Sequence, residues 1–238
     1  MPKGDGQRPA DDKPRFFGRR RGKTLRRNAQ GLMETLLPRL AVTPPGSGEP
    51  PLDPAGLFAR PVRAAWLEIG FGGGEHAVAQ AGLHPDIGLI ACEPFVNGIA
   101  SLLGHLAGSA IDNIRIFGDD VRQLLPAFPA ASLERVFVLF PDPWPKKRHA
   151  ERRFIGRGNL DALARVMADG AELRVASDDP VYQDWATAQL RGHEAFVEIQ
   201  LTSERASLPA DWPVTRYEQK CLAGRDPVFF RFARKNRA

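Results

Sequence analysis

Four acidic positions in this chain stand where chemistry is usually done: Glu68, Glu93, the pair Asp119-Asp120, and Asp142 each close or follow a short apolar run. In a parallel sheet the carboxyl ends of the strands share one edge, and ligands bind along it. One acid after a strand is usually a turn residue or a helix cap. Four in succession point to a lined cleft. Directly after the first run comes Gly70-Phe71-Gly72-Gly73-Gly74, a loop whose glycines turn tightly and admit a ligand close to the backbone. The helix N-terminus behind it is a weak positive pole suited to a carboxylate or phosphate.

Two ligands compete for such a loop. A dinucleotide site has G-x-G-x-x-G, but counting from Gly70 the last position is Glu75. The E-x-G-x-G-x-G run from Glu68 to Gly74 is the pattern associated with S-adenosylmethionine. That molecule carries an α-amino group, ribose hydroxyls, an adenine amino group and a sulfonium, each a donor or a positive charge for a carboxylate. Dinucleotide phosphates would be repelled by the same acids. The acid-rich edge therefore favours a methyl donor over a nicotinamide cofactor.

After the fourth run comes Pro141-Asp142-Pro143-Trp144-Pro145. Prolines on both sides fix the backbone around Asp142, and Trp144 offers a surface on which a base could stack. Lys146, Lys147, Arg148, Arg152 and Arg153 follow. A basic run is most often a solvated surface. Next to the acid-lined edge it reads instead as a set of phosphate contacts.

These residues need a frame to hold them. Short apolar runs at Ala64–Ile69, Ile87–Cys92, Ile114–Phe117, Arg135–Phe140, Ala171–Val175 and Ala195–Leu201 read as strands. Between them, helices are expected near Glu75–Gly82, Val96–Ala107, Val121–Phe128 and Leu160–Met167. Another begins after Asp179, because Asp at the cap before Pro180 is a strong start signal. Alternating strand and helix implies a parallel sheet covered on both faces, and Val228–Phe232 could close it as an antiparallel strand.

The 238 residues carry 43% hydrophobic and 26% charged side chains and a net charge of +5; these suit one sizeable α/β domain with an extension. The excess charge is concentrated early: Arg15, Arg19, Arg20, Arg21, Lys23, Arg26 and Arg27, interleaved with Phe16 and Phe17. Met1–Pro14 is polar and reads as disordered. Leu25–Leu40 has helical spacing, and a Pro/Gly-rich connector runs from Thr43 to Pro61. Residues 1–60 thus read as a basic arm that holds RNA phosphates and orders on contact, and residues 61–238 as the main domain. Two cysteines and five scattered histidines predict neither a disulfide scaffold nor a metal site. Cys92 reads as a buried strand residue, and neither His76 nor His149 has an obvious partner. No signal-like or membrane-length apolar run is present, which points to the cytoplasm.

With these residues in hand, the sequence resembles the bacterial tRNA (guanine-N7)-methyltransferases. The resemblance rests on LEIGFGGGEH (Leu67–His76), PDPWPKKRH (Pro141–His149), Arg152-Arg153, ASDD (Ala176–Asp179) and TRYEQK (Thr215–Lys220), in that order, from about Ala64 to the end. Position 145 is proline here, without an assignable role. The resemblance implies a Rossmann-like class I methyltransferase fold: a mostly parallel seven-stranded sheet with helices on both faces and a basic N-terminal extension. It implies S-adenosylmethionine as donor, contacted by Glu68, Gly70, Gly72, Gly74, Glu93, Asp120 and Asp142, with Asp119 an alternative to Asp120. Asp142 would also be catalytic. Lys146, Asp178, Thr215, Arg216, Tyr217 and Glu218 would meet the tRNA substrate, whose target is the variable-loop guanine at position 46. Arg148, Arg152, Arg153, Arg19, Arg20 and Arg21 would contact the RNA. A monomer or homodimer, with no obligatory protein partner and no membrane, completes the expectation. A methyltransferase for exocyclic amino groups is the nearest rival, disfavoured by Trp144 where a second proline would stand. A non-catalytic RNA-binding protein would have no need of the donor pocket.

Overall fold

The computed structural model describes residues 16–46, 48–220 and 226–237. Seven strands form one sheet: β1 (Ala64–Ile69), β2 (Ile87–Cys92), β3 (Ile114–Phe117), β4 (Leu133–Leu139), β5 (Met167–Ser177), β6 (Phe196–Thr202) and β7 (Val228–Arg234). Their order is β3-β2-β1-β4-β5-β7-β6. β1 to β5 pair in parallel, while β7 runs antiparallel to both β5 and β6. The chain winds outward from β1 to β3, then restarts at β4 on the other side of β1. That reversal is where an open α/β sheet leaves a crevice above its carboxyl ends. β1 and β4 border this crevice, and Asp142 follows β4 at its edge.

The helices are α1 (Arg27–Thr35), α2 (Leu37–Leu40), α3 (Glu75–Leu83), α4 (Val96–Leu106), α5 (Arg157–Val166), α6 (Pro180–Arg191) and α7 (Arg216–Lys220). All six positions of β1 and of β2 are buried, as the continuous apolar runs of a sheet covered on both faces require. Alternate side chains enter different cores. Leu67 and Ile69 join Ile90, Cys92, Val136, Val138, Leu173 and Val175 with Leu160 and Leu163 of α5 and Tyr182 and Ala186 of α6. Trp66 joins Leu89, Ala91, Phe137 and Ala176 with Ala77 of α3, Leu102 and Leu103 of α4 and, partly buried, Leu32, Met33 and Leu36 of the arm.

Proline explains two departures from the expected elements. The stretch Val121–Phe128 is two 3-10 turns, Val121–Gln123 and Leu125–Ala127, instead of one helix; Pro126 has no N–H to continue an α-helical ladder. The helix expected over Leu25–Leu40 is divided into α1 and α2 at Leu36, two residues before Pro38. β5 is longer than expected, starting at Met167 directly after α5. The early segment is bound into the domain: Val42 N–H donates to Ile116 O and Leu52 N–H to Ala127 O. Among the described residues no helix is long and apolar enough to cross a membrane.

Candidate active site

A cavity of about 350 Å³ opens at the carboxyl edge of the sheet, within the range of small-molecule sites. Its floor includes Ile69, Gly70, Gly72, Cys92 and Val138, and its walls carry Glu93, Asp119, Asp120 and Asp142. The glycine loop adopts the backbone its composition allows: Gly70, Gly72 and Gly74 have φ of +74°, +59° and +88°, a region that side chains resist.

Each acid has a different fate. Glu93 follows β2 and is buried; its two carboxylate oxygens accept from Gly72 N–H at 2.8 Å and Phe95 N–H at 3.0 Å. Burial pushes its carboxyl above the usual range, against those two hydrogen bonds, and the nearby charges of Asp142 and Glu68 add to the rise. Asp120 caps the first 3-10 turn by accepting from Arg122 N–H, and both its oxygens also accept from the Arg122 guanidinium. The capping role therefore falls to Asp120. Asp119 pairs with Arg20 at 2.7 Å; burial raises its carboxyl, but Arg20 and the Asp120 N–H outweigh this and hold it below the usual range.

Glu68 is the acid that the tertiary structure treats least as expected. It is 2% exposed, does not line the cavity, and meets Nδ1 of His76 at 2.9 Å. Glu68 lies on the same face of β1 as Trp66, toward α3, and His76 is on the first turn of α3. Nε2 of His76 meets Gln80 at 3.3 Å, and Gln80 donates onward to Asp211 O at 2.6 Å. His76 thus has a partner that the sequence did not disclose, although both lie in the LEIGFGGGEH run.

Asp142 is exposed at the rim of the cavity. The surrounding walls still desolvate its carboxyl and raise it above the ordinary value. Of the five acids, it alone has no hydrogen-bond or ion-pair partner among the described residues. The flanking backbone is unusual, with Phe140 at φ +50° and Trp144 at φ +43°. Trp144 is half-buried: its ring meets the edges of Phe17 and His149, and the Arg152 guanidinium lies 4.9 Å from its centre.

The basic residues divide sharply. Lys146, Lys147 and Arg148 are exposed, as phosphate contacts must be. Arg153 is not available for RNA, contrary to the expectation from its place in the basic run. It is 5% exposed, and its guanidinium donates to Pro143 O and Trp144 O, both at 3.0 Å. A buried cation needs such partners, and these come from a loop far enough along the chain to be invisible in local charge patterning.

The arm also departs from expectation. From Phe16 onward it is docked on the cavity. Phe16, Phe17, Gly18 and Arg19 form part of the wall. Arg152 lies 4.5 Å from the Phe17 ring. Val96 N–H donates to Arg20 O, Gly22 N–H to Asn97 Oδ1, and Asn97 Nδ2 to Lys23 O. Arg19 and Arg21 remain exposed. Met1–Arg15, including the whole stretch Met1–Pro14 read as disordered, lies outside the described residues.

The TRYE segment forms a capping box on α7. Thr215 Oγ1 accepts from Glu218 N–H at 3.1 Å, while Glu218 Oε2 accepts from Thr215 N–H at 3.4 Å. Thr215 is buried, Arg205 pairs with Glu218 at 2.9 Å, and Arg216 reaches Glu75 beside the glycine loop at 3.9 Å. None of these residues lines the cavity, and the Tyr217 side chain lies outside the described structure. Asp178 is half-buried, while Asp179 caps α6 by accepting from Tyr182 N–H.

The site fits a cationic adenosyl ligand. Glu93 is oriented by backbone N–H groups, apolar walls of Ile69, Val138 and Phe95 suit a base, and two of the cations at the wall already have partners: Arg122 on Asp120, and Arg152 over two rings. Fold and site together define a class I, S-adenosylmethionine-dependent methyltransferase. Solved structures agree on the fold: a putative rRNA methylase from Clostridium thermocellum superposes with a TM-score of 0.53 at 12% identity, over 74% of this chain and 90% of that one. An rRNA methylase from Streptococcus thermophilus gives 0.51 at 12%, over 73% and 87%.

A family model described as a putative methyltransferase matches residues 63–230. The tRNA (guanine-N(7)-)-methyltransferase of Paramagnetospirillum magneticum is 61% identical over 96% of both chains. That of Rhodospirillum rubrum is 52% identical over 98% of this chain and 92% of its own. The chain belongs to the tRNA (guanine-N(7)-)-methyltransferase family.

Proposed function

We propose that this enzyme methylates N7 of the variable-loop guanine at position 46 of tRNA, with Asp142 as the catalytic carboxylate. The donor is S-adenosylmethionine, which when bound supplies an electrophilic methyl group on a sulfonium. Guanine N7 has an in-plane lone pair and no hydrogen, so attack requires no general base. The chain's own work is alignment of the base and support for the positive charge it gains.

The observation that carries this reading is the uncommitted carboxylate of Asp142. Glu68, Glu93, Asp119 and Asp120 are each held by another group, whereas Asp142 stands at the rim ready to accept from the guanine N–H edge. Partial desolvation strengthens its electrostatic effect on a cationic base. Glu93, Asp120 and the glycine loop hold the donor, and Glu68, locked by His76, supports the floor beneath the loop. Lys146, Lys147, Arg148, Arg19 and Arg21 offer exposed charge for tRNA phosphates. N7 lies on the deep-groove edge of a regular RNA helix, so an unpaired or tertiary-paired guanine suits the site, as position 46 would be.

Unmodified tRNA, labelled donor and mapping of 7-methylguanosine in the digested product test the assignment. Label at position 46 is expected. Label at another guanine would overturn the position while keeping the reaction.

A further inference from the structure

The loop that carries Asp142 cannot hold itself together. Pro141, Pro143 and Pro145 have no N–H, so three of its five residues lack a backbone donor for the loop's own carbonyls. Trp144, between two of those prolines, sits at φ +43°, where a residue with a side chain is strained and persists only if its surroundings over-determine it.

Arg153 supplies what the prolines remove. Its Nε donates to Pro143 O and its terminal nitrogen to Trp144 O, each at 3.0 Å. The planar guanidinium lies 4.9 Å from the centre of the Trp185 ring on α6. That ring is fastened in turn, because Trp185 Nε1 donates to Ile155 O, while Ile155 N–H donates to the Tyr182 hydroxyl at 3.2 Å. The neighbouring Arg152 faces the other way, toward Phe17 and Trp144 at the cavity.

The geometry points to Arg153 as a positioning residue for methyl transfer: backed by Trp185, it holds the carbonyls of Pro143 and Trp144 so that Asp142 and Trp144 meet the guanine in one orientation. It acts through the loop and touches neither donor nor RNA. The inference rests on the assignment of Asp142 to the reacting edge, and the two can fail separately.

The test compares Arg153→Lys, Trp185→Leu and the double variant in full-length protein, with unmodified tRNA and S-adenosylmethionine. Lysine keeps the charge but cannot reach two carbonyls from one flat fork. Expected are a fall in kcat of about tenfold or more with tRNA KM changed by less than about threefold, and unchanged donor affinity. The salt dependence of tRNA binding should also stay unchanged. The double variant should be no worse than the poorer single one, since both act on one device. Normal kcat in folded Arg153→Lys would show that a point charge suffices at this position, as it does for a phosphate contact, and would overturn the inference. So would additive losses, or a loss that merely follows the folded fraction. If Arg153→Lys fails to fold, Trp185→Leu decides alone: normal kcat in that folded variant overturns the inference. Asp142→Asn is the control, and normal turnover there would remove the underlying site assignment instead.

Discussion

Gly98, in the first turn of α4, packs against the carbonyl oxygen of Gly72 so closely that a β-carbon at 98 would stand well inside van der Waals contact, and 3.2 Å from Cγ of Glu93. The helix therefore approaches the glycine loop through a position without a side chain. This contact ties the loop, the second acid and α4 into one wall. Nothing in the local sequence separates Gly98 from an ordinary helical glycine.

Gly98→Ala is expected to cost roughly 1–3 kcal/mol of stability, the usual penalty of inserting a methyl into packed structure. Donor affinity should fall more steeply, because the displaced atoms are Gly72 and Glu93. Thermal unfolding and calorimetric titration with S-adenosylmethionine would check both; an unchanged donor Kd would show that the loop can shift freely.

Asp142→Asn should abolish most turnover while stabilising the folded protein slightly at neutral pH. The sign follows from the raised carboxyl. A group whose folded pKa is raised contributes stability below its ordinary value, 3.8 for this aspartate, and loses that contribution as pH rises through the folded value. Removing the charge therefore helps at pH 7 and ceases to help in strong acid. Melting curves at the two pH values, with a methylation assay, make the comparison.

Donor binding should weaken on acidification at a pH above the ordinary glutamate range. Burial holds the Glu93 carboxyl high in the free protein, and a bound cation favours its charged form. Between the free and bound pKa values, affinity falls about tenfold per pH unit. The Glu93→Gln variant should bind weakly at every pH and lack this dependence; a variant that retained the acid limb would assign it to another group.

Deletion of residues 1–23 should affect both ligands. Loss of Arg19, Arg20 and Arg21 weakens tRNA binding and reduces its salt slope by roughly 0.7–0.9 for each phosphate contact removed. Donor affinity should fall as well, because Phe16 to Arg19 form part of the cavity wall. The deletion stops before α1, whose Leu32 and Met33 pack on the second core together with Leu36 just after it. Unchanged donor affinity would mean that the docked arm contributes only to RNA binding.

Much was legible in the sequence because it depends on near neighbours. Apolar runs and glycines mark where strands stop, so the acids after β2, β3 and β4 could be placed on one edge, and Asp179 before Pro180 announced the start of α6. The capping box of Thr215 and Glu218 was equally local, yet the motif drew attention to substrate contacts instead of to the helix end it caps. The tertiary structure decided which charged groups have partners, and that is a long-range matter: side chains distant along the chain meet only after the sheet is assembled. Burial then forces each buried charge to find a counterpart. So Arg153 turned inward to two carbonyls while Arg152 faced the cavity, Glu68 went to His76, and the arm closed over the donor site through Arg20 and Asp119. The sequence by itself determined the sheet, its acid-lined edge and the family; the tertiary structure decided which of those acids stayed free to act, because only packing determines what each carboxylate touches.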